Sequence, residues 1–205
     1  MSFVKKVKLS ITIALITSII FSIFSFAQTS EEIRKDFIRL HVIANSDSDD
    51  DQDLKLMVRD FVLNQGSVIF DGTVTPQNVF SKVPYHLPKL EKLTEEYVKS
   101  LGFDYNITIT LEEEYFTTRT YNTVTLPAGN YTALKVVIGE GIGKNWWCVM
   151  FPPMCISAAD EQVVLKANVT NKEFDLVTRN PKFEVRFKIV EIIEELKFKY
   201  QNNLK

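Results

Sequence analysis

Apolar positions recur along this chain with two different periods, and the changes between them mark out its elements. Leu9 to Phe26 is apolar without a charge, behind Lys5, Lys6 and Lys8. Phe37 to Ala44 then has a period of two: Ile38, Leu40, Val42 and Ala44 alternate with Phe37, Arg39, His41 and Ile43, which predicts a strand whose second face is mixed. Leu54, Met57, Val58, Phe61 and Val62 fall at helical spacing, with Lys55, Arg59 and Asp60 on the wetter side and Gly66 where a C-terminal cap belongs. A second helical region follows Pro76, breaks at Pro84 and restarts at Pro88. Leu90, Leu93, Tyr97, Val98 and Leu101 form its apolar face and Gly102 its end.

The period of two returns at Tyr105, Ile107, Ile109 and Leu111, set against Asn106, Thr108, Thr110 and Glu112, and Glu112 to Glu114 reads as a charged strand end. Phe116 to Val124 is rich in β-formers, Leu126-Pro127-Ala128-Gly129 is a turn, and Tyr131 to Ile138 is an apolar strand, which together predict a meander. Ser157 to Pro181 is weakly periodic, and a long connection and a short helix both fit it. Phe183, Phe187, Val190, Ile193, Leu196 and Tyr200 predict a long amphipathic helix. The expected fold is a single α+β domain, a mainly antiparallel sheet of about four strands covered on one face by about three helices, after an N-terminal export segment.

Between Ile138 and the weakly periodic region lies Gly139 to Cys155, Gly-Glu-Gly-Ile-Gly-Lys-Asn-Trp-Trp-Cys-Val-Met-Phe-Pro-Pro-Met-Cys. Its glycines allow positive φ and its paired prolines remove donors, so the expectation is an ordered loop. Trp146, Trp147, Met150, Phe151 and Met154 give it more apolar surface than a connection needs. Two arrangements fit: a lid folded onto the core, towards which the usual burial of Trp weighs, and a platform facing a partner.

The positive n-region and apolar stretch predict an export signal, residues 1–27, ahead of an exported domain, residues 28–205. Ser25-Phe26-Ala27 offers a small-x-small cleavage pattern, yet the apolar stretch is also close to bilayer-spanning length, so a cleaved signal and a retained anchor both stand. Outside the cytoplasm, Cys148 and Cys155 are expected to pair, with buried thiols as the alternative, rather than to hold zinc. His41 and His86, the two histidines, stand far apart. A formal charge of -2 gives no broad footprint for nucleic acid. Asp47 to Asp53 suggests a calcium loop but fails the template at Gln52 and Val58, and a helix N-terminus suits it better. No local motif for a nucleophile, a catalytic metal or a phosphate loop is present, so neither a cofactor nor a catalytic residue is expected. That favours a binding protein. A cell-wall carbohydrate binder or hydrolase, with tryptophans on sugar rings and Asp47 or Asp60 near the bond, is the other class.

Several blocks carry a resemblance. Arg39-Leu-His-Val-Ile-Ala-Asn-Ser-Asp-Ser, Asp51-Gln, Leu54-Lys-Leu-Met-Val-Arg-Asp, Leu126-Pro-Ala-Gly-Asn-Tyr with Ala133-Leu, and Gly139 through Asn145-Trp-Trp-Cys-Val-Met-Phe-Pro-Pro-Met-Cys resemble the stage II sporulation protein R family. The resemblance implies a non-catalytic signal exported from the forespore into the space between the two sporangial membranes, held by residues 9–26 if the segment is retained. Its implied partner is a membrane-embedded aspartic protease, which then processes the precursor of the early mother-cell sigma factor. On this reading Asn145, Trp146, Trp147, Phe151, Pro152 and Pro153 form an apolar contact patch, and Arg39, His41, Asn45 and Asp47 are its polar neighbours. Aromatic and arginine side chains are the usual interface anchors.

Overall fold

The computed structural model describes residues 3–69, 74–121, 124–152, 154–155, 161–178 and 184–202. The uncharged N-terminal stretch contains no Gly or Pro and forms a single helix, α1 (Phe3–Asp36). Among the described residues it is the one helix long and apolar enough to cross a bilayer. Most of its length is exposed, but Phe26, Thr29, Ser30, Ile33 and Arg34 are buried. Residues on the N-terminal side of the bond after Ala27 therefore already belong to the folded body. One residue past α1, strand β1 (Ile38–Ile43) begins.

The chain continues as α2 (Asp49–Ile69), α3 (Val79–Lys82), a 3-10 turn (Val83–Tyr85) and α4 (Leu87–Ser100). Strands β2 (Ile107–Phe116), β3 (Arg119–Tyr121), β4 (Val124–Leu126), β5 (Gly129–Ile138) and β6 (Asn145–Phe151) follow, then α5 (Glu161–Asn168), α6 (Asn171–Thr178) and α7 (Glu184–Asn202). The fold is α+β as expected, with prolines and glycines punctuating it where the sequence places them. The break at Pro84 is the 3-10 turn, and Gly102 closes α4 at a φ of 90°.

The sheet order is β2-β5-β1-β6. β1 runs parallel to β5 and antiparallel to β6, and β2 is antiparallel to β5. The expected meander is corrected: β2 pairs directly with β5, and β3 and β4 between them form a separate two-stranded sheet. β1, first in sequence, lies between β5 and β6, and its side chains are buried on both faces. The expected loop from Gly139 to Cys155 is corrected too. From Asn145 to Phe151 it is strand β6, since its glycines lie before the ladder and its prolines after it.

Helices cover both faces of the sheet, not one. On the first face Ile38, Leu40 and Val42 of β1 pack with Leu54, Val58 and Val62 of α2 and Leu90 and Val98 of α4. On the second, Phe116, Tyr131, Ala133 and Val149 pack under Phe26 and Ile33 of α1, Leu165 of α5, Leu176 of α6 and Phe187 of α7. The α1 and α7 helices run parallel: Phe26 meets Phe187 edge to face at 5.1 Å, and Arg34 lies 3.6 Å from Glu194 further along both. The Arg34 guanidinium also donates to the Ala128 carbonyl at 3.0 Å, beside Gly129. With φ at +142°, a Cβ there would lie 2.5 Å from the Arg34 chain, so the turn requires Gly.

Three helix readings are corrected. Gly66 does not end α2, which continues to Ile69. Within α2, Met57 is 46% exposed while Lys55 is 5% exposed, because the Lys55 ammonium reaches the Lys144 carbonyl and the Gln52 amide oxygen. Among the described side chains of α7, Phe187 and Val190 are buried, while Ile193, Leu196 and Tyr200 are exposed because the helix turns Glu194 and Phe198 to the body at its far end. Phe183 lies outside the described residues. The weakly periodic region contains α5 and α6, the latter opened by a capping box in which Thr170 N–H donates to Glu173 Oε2 at 2.8 Å and Glu173 N–H to Thr170 Oγ1 at 3.3 Å.

The burial of α1 yields a test within one helix. Phe26→Ala should cost about 3–5 kcal/mol of unfolding free energy. Phe24→Ala, at a position 67% exposed, should leave it nearly unchanged. Denaturant unfolding of the full chain in detergent, followed by tryptophan emission, measures both.

Candidate functional site

Strand β6 is an edge of the sheet among the described residues, and the side-chain period of two divides its neighbouring tryptophans between the faces. Trp146 packs against the first core and Trp147 against the second. They flank the sheet edge and do not form a flat platform. Both are half-buried, and Asn145 is exposed. Neither a closed lid nor an open platform describes this arrangement.

Each ring has its own support. The Arg59 guanidinium lies 4.6 Å from the Trp146 ring centre. Trp147 stacks on the His41 imidazole with centroids 3.5 Å apart and 16° between planes, and meets Phe116 edge to face at 4.8 Å. His41 opposes Trp147 across the β1–β6 ladder, so the stack is a cross-strand pair. The other side of the imidazole is fixed by Glu114, whose Oε2 lies 2.9 Å from His41 Nδ1. Lys135 Nζ stands 3.0 Å from Glu112 Oε1 and 3.9 Å from Glu114 Oε1. The acidic stretch of β2 thus orients His41, a role that local sequence could not assign.

Two residues before His41 on β1, and opposite Val149, Arg39 is 0% exposed. Its guanidinium lies 4.3 Å from the Phe116 ring centre, 5.0 Å from Tyr131 and 5.5 Å from Tyr121, donates to the Tyr121 hydroxyl and gives Nε–H to the Cys148 carbonyl at 3.3 Å. No carboxylate pairs with it among the described residues. Burial works against its charge, and burial also pushes the Tyr121 and Tyr131 hydroxyls up, so neither supplies an anion. A solvated or ion-paired strand face is the usual setting for such a residue; here aromatic rings take that place.

Asn45 and Asp47 bind the chain itself. Asn45 Oδ1 accepts from Glu140 N–H at 3.0 Å, and Asp47 Oδ1 from Lys144 N–H at 2.7 Å. Ile142 and Gly143 donate to the Asn45 and Ala44 carbonyls. The approach is close: a Cβ on Gly139 would lie 2.2 Å from Asn45 Oδ1, and one on Gly143 the same distance from the Ser46 carbonyl oxygen. These residues set the entry angle of β6. Asp51, which the sequence did not single out as a site, supports them from the first turn of α2. It accepts from the Asn45 amide at 2.9 Å and from the Ser46 hydroxyl at 2.5 Å.

At the other end Cys148 and Cys155 are joined, with Cα atoms 5.6 Å apart, and Met154 N–H donates to the Val149 carbonyl at 3.2 Å. Pro152 is buried and Phe151 half-buried, while Pro153 lies outside the described residues. Of the expected contact residues, the structure therefore brings Asn145, Trp146, Trp147 and Phe151 to the edge strand, and places His41 against Trp147 and Arg39 behind Phe116. Asn45 and Asp47 lie at its entry.

Two outcomes follow. Burial alone would raise the Asp51 carboxyl, but bonds from Ser46, Asn45, Tyr105 and Ser48 outweigh it and hold the group below the usual aspartate range. A lowered folded-state pKa gives stability that is present above the unfolded aspartate value, about 3.9, and is lost as pH falls through the lower folded value. Asp51→Asn should thus flatten the acid limb of a stability–pH profile and cost about 1–3 kcal/mol at neutral pH. Arg39→Met should be neutral to within about 1 kcal/mol or stabilising, because it removes a buried charge that has no counter-ion. Denaturant unfolding reads both.

No solved structure matches this chain. The family model described as "Stage II sporulation protein R" matches residues 34–161, which contain β1, the whole sheet and the disulfide. A protein of Bacillus subtilis (strain 168) named "Stage II sporulation protein R" is 35% identical over 118 residues, 58% of this chain and 53% of that protein. The chain thus spans about half the length of this curated relative. With the match running from the end of α1 past both cysteines, the chain belongs to the stage II sporulation protein R family.

Proposed function

We propose that this protein is an exported sporulation signal that acts by binding. Its partner is a membrane-embedded aspartic protease, and the consequence is processing of the precursor of the early mother-cell sigma factor. Family membership supports this reading, and one observation carries it to particular residues: the family match contains an edge strand bearing two half-buried tryptophans. Around that strand the aromatic and arginine contacts are of the kind that anchor interfaces. His41 acts on Trp147 directly, and Arg39 through the Phe116 ring that meets both, so the tryptophan is held in one orientation before any partner arrives, which lowers the ordering cost of association. The protein itself breaks no bond. Binding favours the active arrangement of the protease through differential affinity for its two states.

The α1 helix provides the membrane contact in this scheme. Its apolar part spans the forespore membrane, and its last turns are part of the core, so the domain stands close to the bilayer in the space between the two sporangial membranes.

Co-expression of the full chain with the protease and the sigma-factor precursor tests this reading. Trp147→Ala should lower precursor processing by at least about tenfold, as expected for loss of an interface anchor. The melting temperature of the remaining fold should still show a cooperative transition. Unchanged processing by a folded Trp147→Ala variant would overturn the reading, as would cleavage of the precursor by this protein with the protease absent.

A further inference from the structure

The two edges of the sheet are finished differently. The β2 edge is closed: it carries Glu112, Glu113 and Glu114, and the N–H of Ile109 donates to Glu91 Oε2 of α4 at 2.8 Å. Charge and side-chain capping are the usual protections of an exposed edge. The β6 edge has neither. Asn145–Phe151 contains no charged residue and no proline.

The direction of its backbone groups follows from the ladder. The Val149 carbonyl accepts from Met154 N–H, beyond the sheet, so Val149 turns its backbone polar groups away from β1. The β1–β6 register shifts between Ile38 and Arg39 but is regular from Arg39–Val149 to Ile43–Asn145, so this orientation recurs at every second residue there, at Trp147 and Asn145. The close His41–Trp147 ring stack agrees, since opposed side chains approach best in the pairs that do not exchange backbone hydrogen bonds. No described backbone group bonds Asn145 or Trp147 from that side.

One cation beside Trp147 has no partner. The exposed Arg119 guanidinium lies 5.9 Å from the Trp147 ring centre and pairs with no carboxylate among the described residues, while Glu114 on the same face is engaged by His41 and Lys135. A strand added to β6 would place the side chain opposite Trp147 on the face shared with Arg119. A second copy paired with Trp147 opposite Trp147 would bring its own Arg119 beside this one, where like charges repel.

We propose that the outer edge of β6 accepts an extended acidic segment of a partner protein as a fifth strand, with a carboxylate opposite Trp147 meeting Arg119. The added strand pairs with the backbone of Asn145 and Trp147, and the two tryptophan rings close over its two faces. This rests on the binding role of β6 proposed above and gives that partner a backbone conformation and a charge.

The test uses the full chain in lipid nanodiscs and a probe peptide, acetyl-Thr-Val-Glu-Val-Glu-Val-Thr-amide, with a Lys-for-Glu analogue and an analogue N-methylated along one edge. Trp146 and Trp147 are the chain's two tryptophans, so emission reports on this strand alone. The acidic peptide should shift the emission and slow hydrogen exchange at the Trp147 amide, the lysine peptide should bind at least about tenfold more weakly, and Arg119→Glu should reverse that order. The N-methylated peptide should not bind, because it cannot complete the ladder. Equal binding of the N-methylated peptide, or no preference for either charge, would overturn strand addition without altering the protein's fold. Protection of the Trp147 amide without peptide, rising with protein concentration, would overturn it in favour of a second copy. Loss of precursor processing by Trp147→Ala alongside failed peptide binding would retain the docking role and discard the added strand, so the two readings fail separately.

Discussion

The ladder from Ile38 to Ile43, parallel to Gly129–Ile138 on one side and antiparallel to Asn145–Phe151 on the other, is the constraint on which both cores depend. Its alternating side chains serve two different interiors. Ile38, Leu40 and Val42 face an aliphatic core closed by α2 and α4, while Arg39 and His41 face an aromatic one under α1 and α7. A slip of one residue in the β1–β6 register would exchange the two sets and put a guanidinium among leucines. The polar residues on this strand thus fix the register more firmly than an all-apolar strand would.

From that constraint the geometry of β6 follows. Its entry is held by Asn45 and Asp47, its exit by the bond between Cys148 and Cys155, and its middle by the stack of Trp147 on His41. Each restraint comes from a segment distant in sequence or from a covalent link, and together they leave the tryptophans little freedom. The disulfide contributes here by fixing shape, since closing so short a loop adds at most about 3 kcal/mol on the chain-entropy account. Arg39 completes the arrangement at an energetic cost. A buried cation among three rings is a poor device for stability, and its effect on Trp147 passes through Phe116, the ring that touches both.

The tie between the N-terminal helix and the domain is equally direct. The apolar helix does not end at a linker; it continues into the second core, where Phe26 meets Phe187. Because α7 runs parallel to α1, its C-terminal part lies beyond the Arg34–Glu194 contact, where Phe198 stacks on Tyr115 of β2 at 5.0 Å while Leu196 and Tyr200 stay exposed.

Local physics was enough to read the strand at Ile38–Ile43, the helix opened by acidic residues, the proline-broken helices before Gly102 and the class of the fold, because periodicity, caps and proline act within a few residues. The motif blocks also marked Trp146, Trp147, Cys148 and Cys155. The capping box at Thr170 and Glu173 is a local signal that the sequence reading passed over, because the hydrophobic period around it is weak. What the chain could not announce was every relation between distant segments: β1 inserted between β5 and β6, Glu114 set against His41, and Asn45 and Asp47 turned to the backbone at Glu140 and Lys144. Sheet order and side-chain pairing are settled by which buried surfaces fit together, and that information exists only once both faces of β1 have found their cores. For the same reason the tryptophans read as one patch in sequence and proved to be two, since adjacent residues in a strand must point to opposite sides.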